Sequence, residues 1–177
     1  MAASPFHFVG SLVPNQHADL LAVPRRRFRA LPDPRLVGVE VCGTEKKVFG
    51  RPHTVVVTFN QNLFDGQIQG LTANLNKARG KLRELQQQLR RCREGRLKGK
   101  RPTLAGVQNQ LLSICSAQHL KSILKAEVKE VRRGLELSFS TDQSALDRLC
   151  RVQLGKTILF TEGGLKNNSS QLIGHLS

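Results

Sequence analysis

An α/β fold built around one long helical hairpin is what this sequence predicts, and three observations carry the prediction. Residues 61–94 keep an apolar residue at alternating steps of four and three, through Phe64, Ile68, Leu71, Leu75, Ala78, Leu82, Leu85 and Leu89, a heptad seam held for more than three repeats. A second run from Thr103, with Leu104, Val107, Leu111 and Ile114, follows a polar connection broken by Gly95, Gly99 and Pro102. On both sides of these helices lie β-branched runs bounded by glycine and proline, which read as strands.

Taken in order, residues 6–12 form a mostly apolar run, expected as a buried strand. Asn15 is placed to cap a short helix through Leu21, and Pro24 stops it. Arg25, Arg26, Arg27 and Arg29 then surround Phe28, ahead of a proline-rich stretch at 31–34 that cannot be α-helical. A meander follows: strands at 39–41, 47–49 and 54–59, with turns at Gly43 and at 50–52. The last of these strands feeds directly into the long helix.

That helix should reach roughly 50 Å at 1.5 Å per residue, and its seam needs a cover. The short polar connection makes the second helix an antiparallel neighbour, so residues 61–124 are expected as a helical hairpin with a break near Ser116. Self-association of the seam into a homodimer is the other cover the sequence allows. Gly66, Gly70 and Gly80 each cost about 1 kcal/mol inside a helix, so packing rather than propensity must hold it.

Beyond the hairpin, residues 135–139 alternate as a strand, residues 140–142 can cap a helix through Leu149, and residues 156–161 form a second strand. Strand, helix, strand reads as a return to the sheet. The chain thus divides into strands with a meander (1–60), a basic hairpin (61–124), a strand-helix-strand return (125–161) and a Gly-, Asn- and Ser-rich tail expected to be disordered (162–177). Gly155-Lys156-Thr157 resembles the end of a phosphate-binding loop, but Cys150 stands where the earlier glycine is required and a strand follows instead of a helix.

Charge narrows the partner. The 177 residues carry 28 Lys and Arg against 13 Asp and Glu, a net +15, which points to a polyanion, nucleic acid first. Residues 61–102 alone hold eleven basic and three acidic side chains, and most of the positive charge sits at the tip. The candidate phosphate contacts are Arg25, Arg26, Arg27 and Arg29, and Arg90, Arg91, Arg93, Lys98, Lys100 and Arg101 at the tip. Membrane partners are not expected, for want of a long apolar run or an aromatic-bearing amphipathic helix. Neither a small-molecule ligand nor a metal site is indicated, since Cys42, Cys92, Cys115 and Cys150 and the five histidines are dispersed. No signal peptide is apparent, and the cysteines read as reduced thiols of a cytoplasmic protein.

Several pieces carry a resemblance when read together. Phe6-His-Phe-Val-Gly-Ser-Leu-Val-Pro14, Asn15-Gln-His-Ala-Asp-Leu-Leu21, Pro24-Arg-Arg-Arg-Phe28, Val48-Phe-Gly50, Thr54-Val-Val-Val-Thr-Phe-Asn60 and Leu154-Gly-Lys-Thr-Ile-Leu-Phe-Thr161 resemble, in order and spacing, the middle of bacterial DDE transposases of the insertion-sequence-four type. The resemblance implies a partial ribonuclease-H-like sheet bearing a projecting antiparallel helical hairpin. It also implies an activity: two aspartates and a glutamate hold two divalent metals, usually magnesium, and cut and join DNA. Neither aspartate has a counterpart here. Glu162 follows its strand too closely to be the glutamate, and no Tyr is present to continue the family pattern. The resemblance therefore implies an interior fragment that binds DNA but is catalytically incomplete, with no catalytic residue and no cofactor of its own. A non-enzymatic basic coiled-coil protein, binding nucleic acid or dimerising, is the alternative.

Overall fold

The computed structural model describes residues 9–97, 99 and 101–161; the predicted tail at 162–177 and the start of the first strand at 6–8 lie outside them. The chain forms two compact units, residues 1–67 with 149–177, and residues 68–148.

The first unit holds an antiparallel sheet of five strands: β1 (Val9–Leu12), β2 (Arg29–Ala30), β3 (Val39–Val48), β4 (Arg51–Asn60) and β7 (Lys156–Thr161), in spatial order β1-β7-β4-β3-β2. The strand latest in sequence is therefore interior. It pairs Thr54 with Thr161 on one side and Leu12 with Ile158 on the other. Val55, Val56 and Val57 of β4 are all buried, which explains why this strand reads as a continuous apolar run rather than an alternating one. Val55, Val57 and Phe59 pack on one face with Leu12, Leu20 and Ile158, among others. Val56 and Val41 pack on the other with Leu31 and Leu36.

Two expectations for this unit need correction. Gly43 is no turn: β3 runs unbroken from Val39 to Val48 and pairs with β4 along its whole length, because the β-branched and charged residues beyond Gly43 keep the alternation going. The turn is Phe49–Gly50, closed by the Val48–Arg51 pair. Pro52 is tolerated inside β4 because it sits in a non-hydrogen-bonded pair with Lys47, where its missing N–H faces away from β3. The short helix also starts later than expected. Pro14–Gln16 form a 3-10 turn, and α1 (Ala18–Leu21) has its N-cap position at His17, two residues beyond the expected Asn15, with no side-chain cap from that histidine.

In α2 (Gln61–Arg93), Asn60 accepts a hydrogen bond from the Leu63 N–H at 3.1 Å and so caps the helix. The helix begins in the first unit and continues through the second without a break at Gly80. It ends in a glycine C-cap: Gly95 takes φ +69°, its N–H reaches the Cys92 carbonyl and the Arg96 N–H reaches that of Arg91. Leu71, Leu75, Ala78, Leu82, Leu85 and Leu89 are all buried.

The cover of that seam differs from the expected second helix. The return arm is short, with α3 (Leu104–Ile114) capped by Thr103 and then α4 (Leu120–Ile123). The chain next enters β5 (Leu124–Val131) and β6 (Gly134–Thr141), an antiparallel ribbon of their own. The helical segment ends at Ile123, within a residue of the expected bound, and Leu124-Lys-Ala-Glu-Val-Lys-Glu-Val131, given no element of its own in the sequence reading, is a strand. The strand-helix-strand return is also corrected. After α5 (Gln143–Val152), capped by Asp142 through the Ala145 N–H, only β7 enters the five-stranded sheet, and it does so antiparallel.

The ribbon lies along α2. Leu135 and Leu137 of β6 are buried, and their carbonyls point off the open edge of the ribbon. Gln86 Nε2 donates to the Leu137 carbonyl at 2.8 Å and Arg93 Nη1 to the Leu135 carbonyl at 2.7 Å. Two helix side chains thus satisfy a strand edge that would otherwise offer itself to another chain.

Candidate nucleic-acid interface

The predicted arginines divide into those the fold uses and those it leaves in solvent. Residues 25–27 form a 3-10 turn after Pro24. Arg25 has partners in the fold although its side chain stays 42% exposed: its guanidinium lies 3.4 Å from the Phe59 ring centroid and pairs with Glu40 at 3.0 Å. Arg26, Arg27 and Arg29 are exposed, the last on the edge strand β2.

Beneath this turn lies Lys156, buried, with Nζ donating to the Leu21 carbonyl at 2.6 Å and 5.6 Å from the Phe28 ring. Burial, reinforced by the Arg25 charge, pulls its pKa below the usual lysine value. The Gly155-Lys156-Thr157 stretch, set aside as a phosphate loop, has structural contacts instead. Gly155 enters β7 at φ +73°, and a Cβ there would stand 2.7 Å from Phe59 and from Phe64, so only glycine fits. Its N–H donates to Gln67 Oε1 at 2.7 Å.

In the second unit the cations gather where α2 ends. Arg90 and Arg96 both pair with Glu94, at 2.9 and 3.4 Å. The Arg90 hydrogen bond, with the charges of Arg96 and Arg93, holds the Glu94 carboxyl below the usual range. Arg93 is committed to the β6 edge and reaches Glu136 at 3.7 Å. Arg91 and Arg101 are exposed; Lys98 and Lys100 lie outside the described residues.

The fold adds two arginines that the sequence reading missed. Arg132 and Arg133 form the exposed two-residue turn between β5 and β6. A Cβ on the next residue, Gly134, would stand 3.3 Å from Arg93 Cγ, so the turn lies beside the last turn of α2. Its signal was present: two alternating runs around Arg-Arg-Gly mark a hairpin. Lys77, Lys81 and Arg83 extend the exposed charge along the helix face away from the seam.

A cleft of about 370 Å³ beside this tip is lined by Leu89, Cys92, Leu97, Arg101 and Gln110 among others, with no carboxylate or imidazole among the described lining residues. Among the described residues no three His, Cys, Asp or Glu side chains come together to hold a metal, and no helix is long and apolar enough to cross a membrane. Compared with protein families, with curated proteins and with solved structures, the chain matches none.

Proposed function

We propose that this chain is an interior portion of a DNA transposase of the insertion-sequence-four type and that its role is to bind the DNA backbone. The observation that carries DNA binding is the cation cluster at the end of α2. There Arg91, Arg101, Arg132 and Arg133, drawn from three segments, are exposed, while Glu94 at the helix end is already paired with Arg90 and Arg96. Planar guanidiniums exposed to solvent suit phosphate oxygens. The transposase ancestry and the ribonuclease-H-like sheet rest on the ordered motifs between Phe6 and Thr161 alone.

The two divalent metals of that family do not fit the described residues, which bring no carboxylate set together, and no cleavage step is assigned to them. The alternative of a dimerising coiled coil is weakened by the seam itself, because its six leucine and alanine positions from 71 to 89 are already buried within one chain.

The test is a titration of labelled duplex DNA by the purified chain at increasing salt. Affinity should be indifferent to base sequence and fall steeply with salt. Replacing Arg91, Arg132 and Arg133 with glutamine should flatten the log–log slope by about one unit for each phosphate no longer neutralised. Absence of association at low salt would defeat the proposal.

A further inference from the structure

The β3–β4 hairpin ends in a residue that ordinary turn chemistry would not place there. Because Val48 pairs with Arg51, the turn has two central residues, Phe49 at φ +51° and Gly50 at φ +79°. Two positive φ values define the primed turn that suits strand twist, for which Asn-Gly is the favoured pair. A bulky residue at its first position is a strained outlier.

Phe49 offsets little of that strain by burial. It is 82% exposed, the most exposed large apolar residue among those described. Its one described aromatic contact is an edge-on approach to Phe160, ring centroids 5.9 Å apart. That contact and the Lys46–Asp19 ion pair at 2.6 Å, which ties β3 to α1, hold the hairpin in place beneath an outward ring.

The two charged residues that flank the turn are both positive. Lys47 and Arg51 flank the turn and are exposed. Strand alternation sets them on opposite faces of the sheet, Arg51 on the side of its pair partner Val48 and Lys47 on the other. An apolar ring with a cation to either side fits a base plane between two phosphates.

We propose that Phe49 is a stacking wedge, inserting against a DNA base while Lys47 and Arg51 contact the flanking phosphates. This rests on the DNA-binding reading above but uses a separate surface in the other unit. A wedge gains most where a base step is already open, because less unstacking is required.

The chain contains no Trp, so Phe49→Trp places a single fluorophore on the turn. Its emission should be quenched when the protein is saturated with a duplex carrying one unpaired base, with binding followed independently by the anisotropy of the labelled DNA. Phe49→Asn restores the favoured turn pair: its melting temperature should rise while affinity for that duplex falls roughly ten- to a hundred-fold, with the salt slope unchanged because every cation remains.

Phe49→Asn binding like the wild type, or Phe49→Trp emission unaltered at proven saturation, would overturn the wedge and leave the DNA-binding reading intact. If Phe49→Asn proved less stable, its weaker binding would count for nothing and the emission alone would decide. A wild-type chain that binds no DNA at low salt would defeat both.

Discussion

The two units hold cations in different ways. In the five-stranded unit several positive groups are built into the packing: Arg25 stacks on Phe59, Lys156 is buried on the Leu21 carbonyl, and Lys46 ties β3 to α1. In the helical unit one stripe of α2 is apolar, and Lys77, Lys81, Arg83 and Arg91 face solvent. The difference follows from geometry. A sheet covered on both faces surrounds a cation with rings and carbonyls, whereas a helix with a single buried stripe turns the rest of its surface to water. Counting charges along a sequence therefore misplaces an interface unless the element carrying each charge is known.

The contrast can be broken most directly at the stripe. Leu82 is fully buried, and Leu82→Ala should lower unfolding free energy by about 2–5 kcal/mol, whereas Arg91→Ala on the opposite surface should stay within about 0.5 kcal/mol. Chemical denaturation of both variants measures this. A destabilisation at Leu82 no larger than that at Arg91 would mean the stripe is not the core of this unit.

A smaller effect of opposite sign sharpens the same point. Gly70 lies in α2 with open space where a Cβ would stand, so Gly70→Ala should raise stability by about 0.4–1 kcal/mol. A fall on the same measurement would reveal close packing on a surface taken to be free.

The smallest effect is a slope with pH, and it concerns the sheet unit. Lys156 has a folded pKa lowered by burial, so between that value and the ordinary 10.5 the unfolded chain binds the extra proton. Stability from this group must therefore rise with pH across that window, the desolvation cost being fully present at neutral pH. Lys156→Met should lack this alkaline rise when melting curves of the two proteins are subtracted. Equal slopes would place the cause in another group.

Much of the fold was legible where one pattern had one meaning. The seam from Leu71 to Leu89 and the strands at 54–59 and 156–161 appear as read, because periodicity and β-branching there agree. Residues 124–131 were less legible: Leu, Ala, Val and Glu at every second position alternate with lysine, glutamate and valine, so neither set is apolar throughout and the stretch was assigned no element. Glycine misled at Gly43, which β3 passes straight through. At the candidate interface the sequence exposed the amount of charge but not its allocation. That Arg25 and Arg93 would be consumed by Phe59 and the Leu135 carbonyl, and that Arg132 and Arg133 would arrive beside α2, depends on pairings distant in sequence.

The interior position of β7 has a consequence for how the molecule comes into being. Its neighbours β1 and β4 are synthesised long before it, and the whole second unit, continuous in sequence from 68 to 148, emerges in between. The helical unit can thus form on the growing chain while the sheet remains open, with the facing edges of β1 and β4 unpaired until residues 156–161 appear. During that interval β4 has a bare edge and β1 has no strand partner at all, and what protects the nascent protein from its neighbours is time: the shorter the wait for the closing strand, the less chance of pairing with another chain.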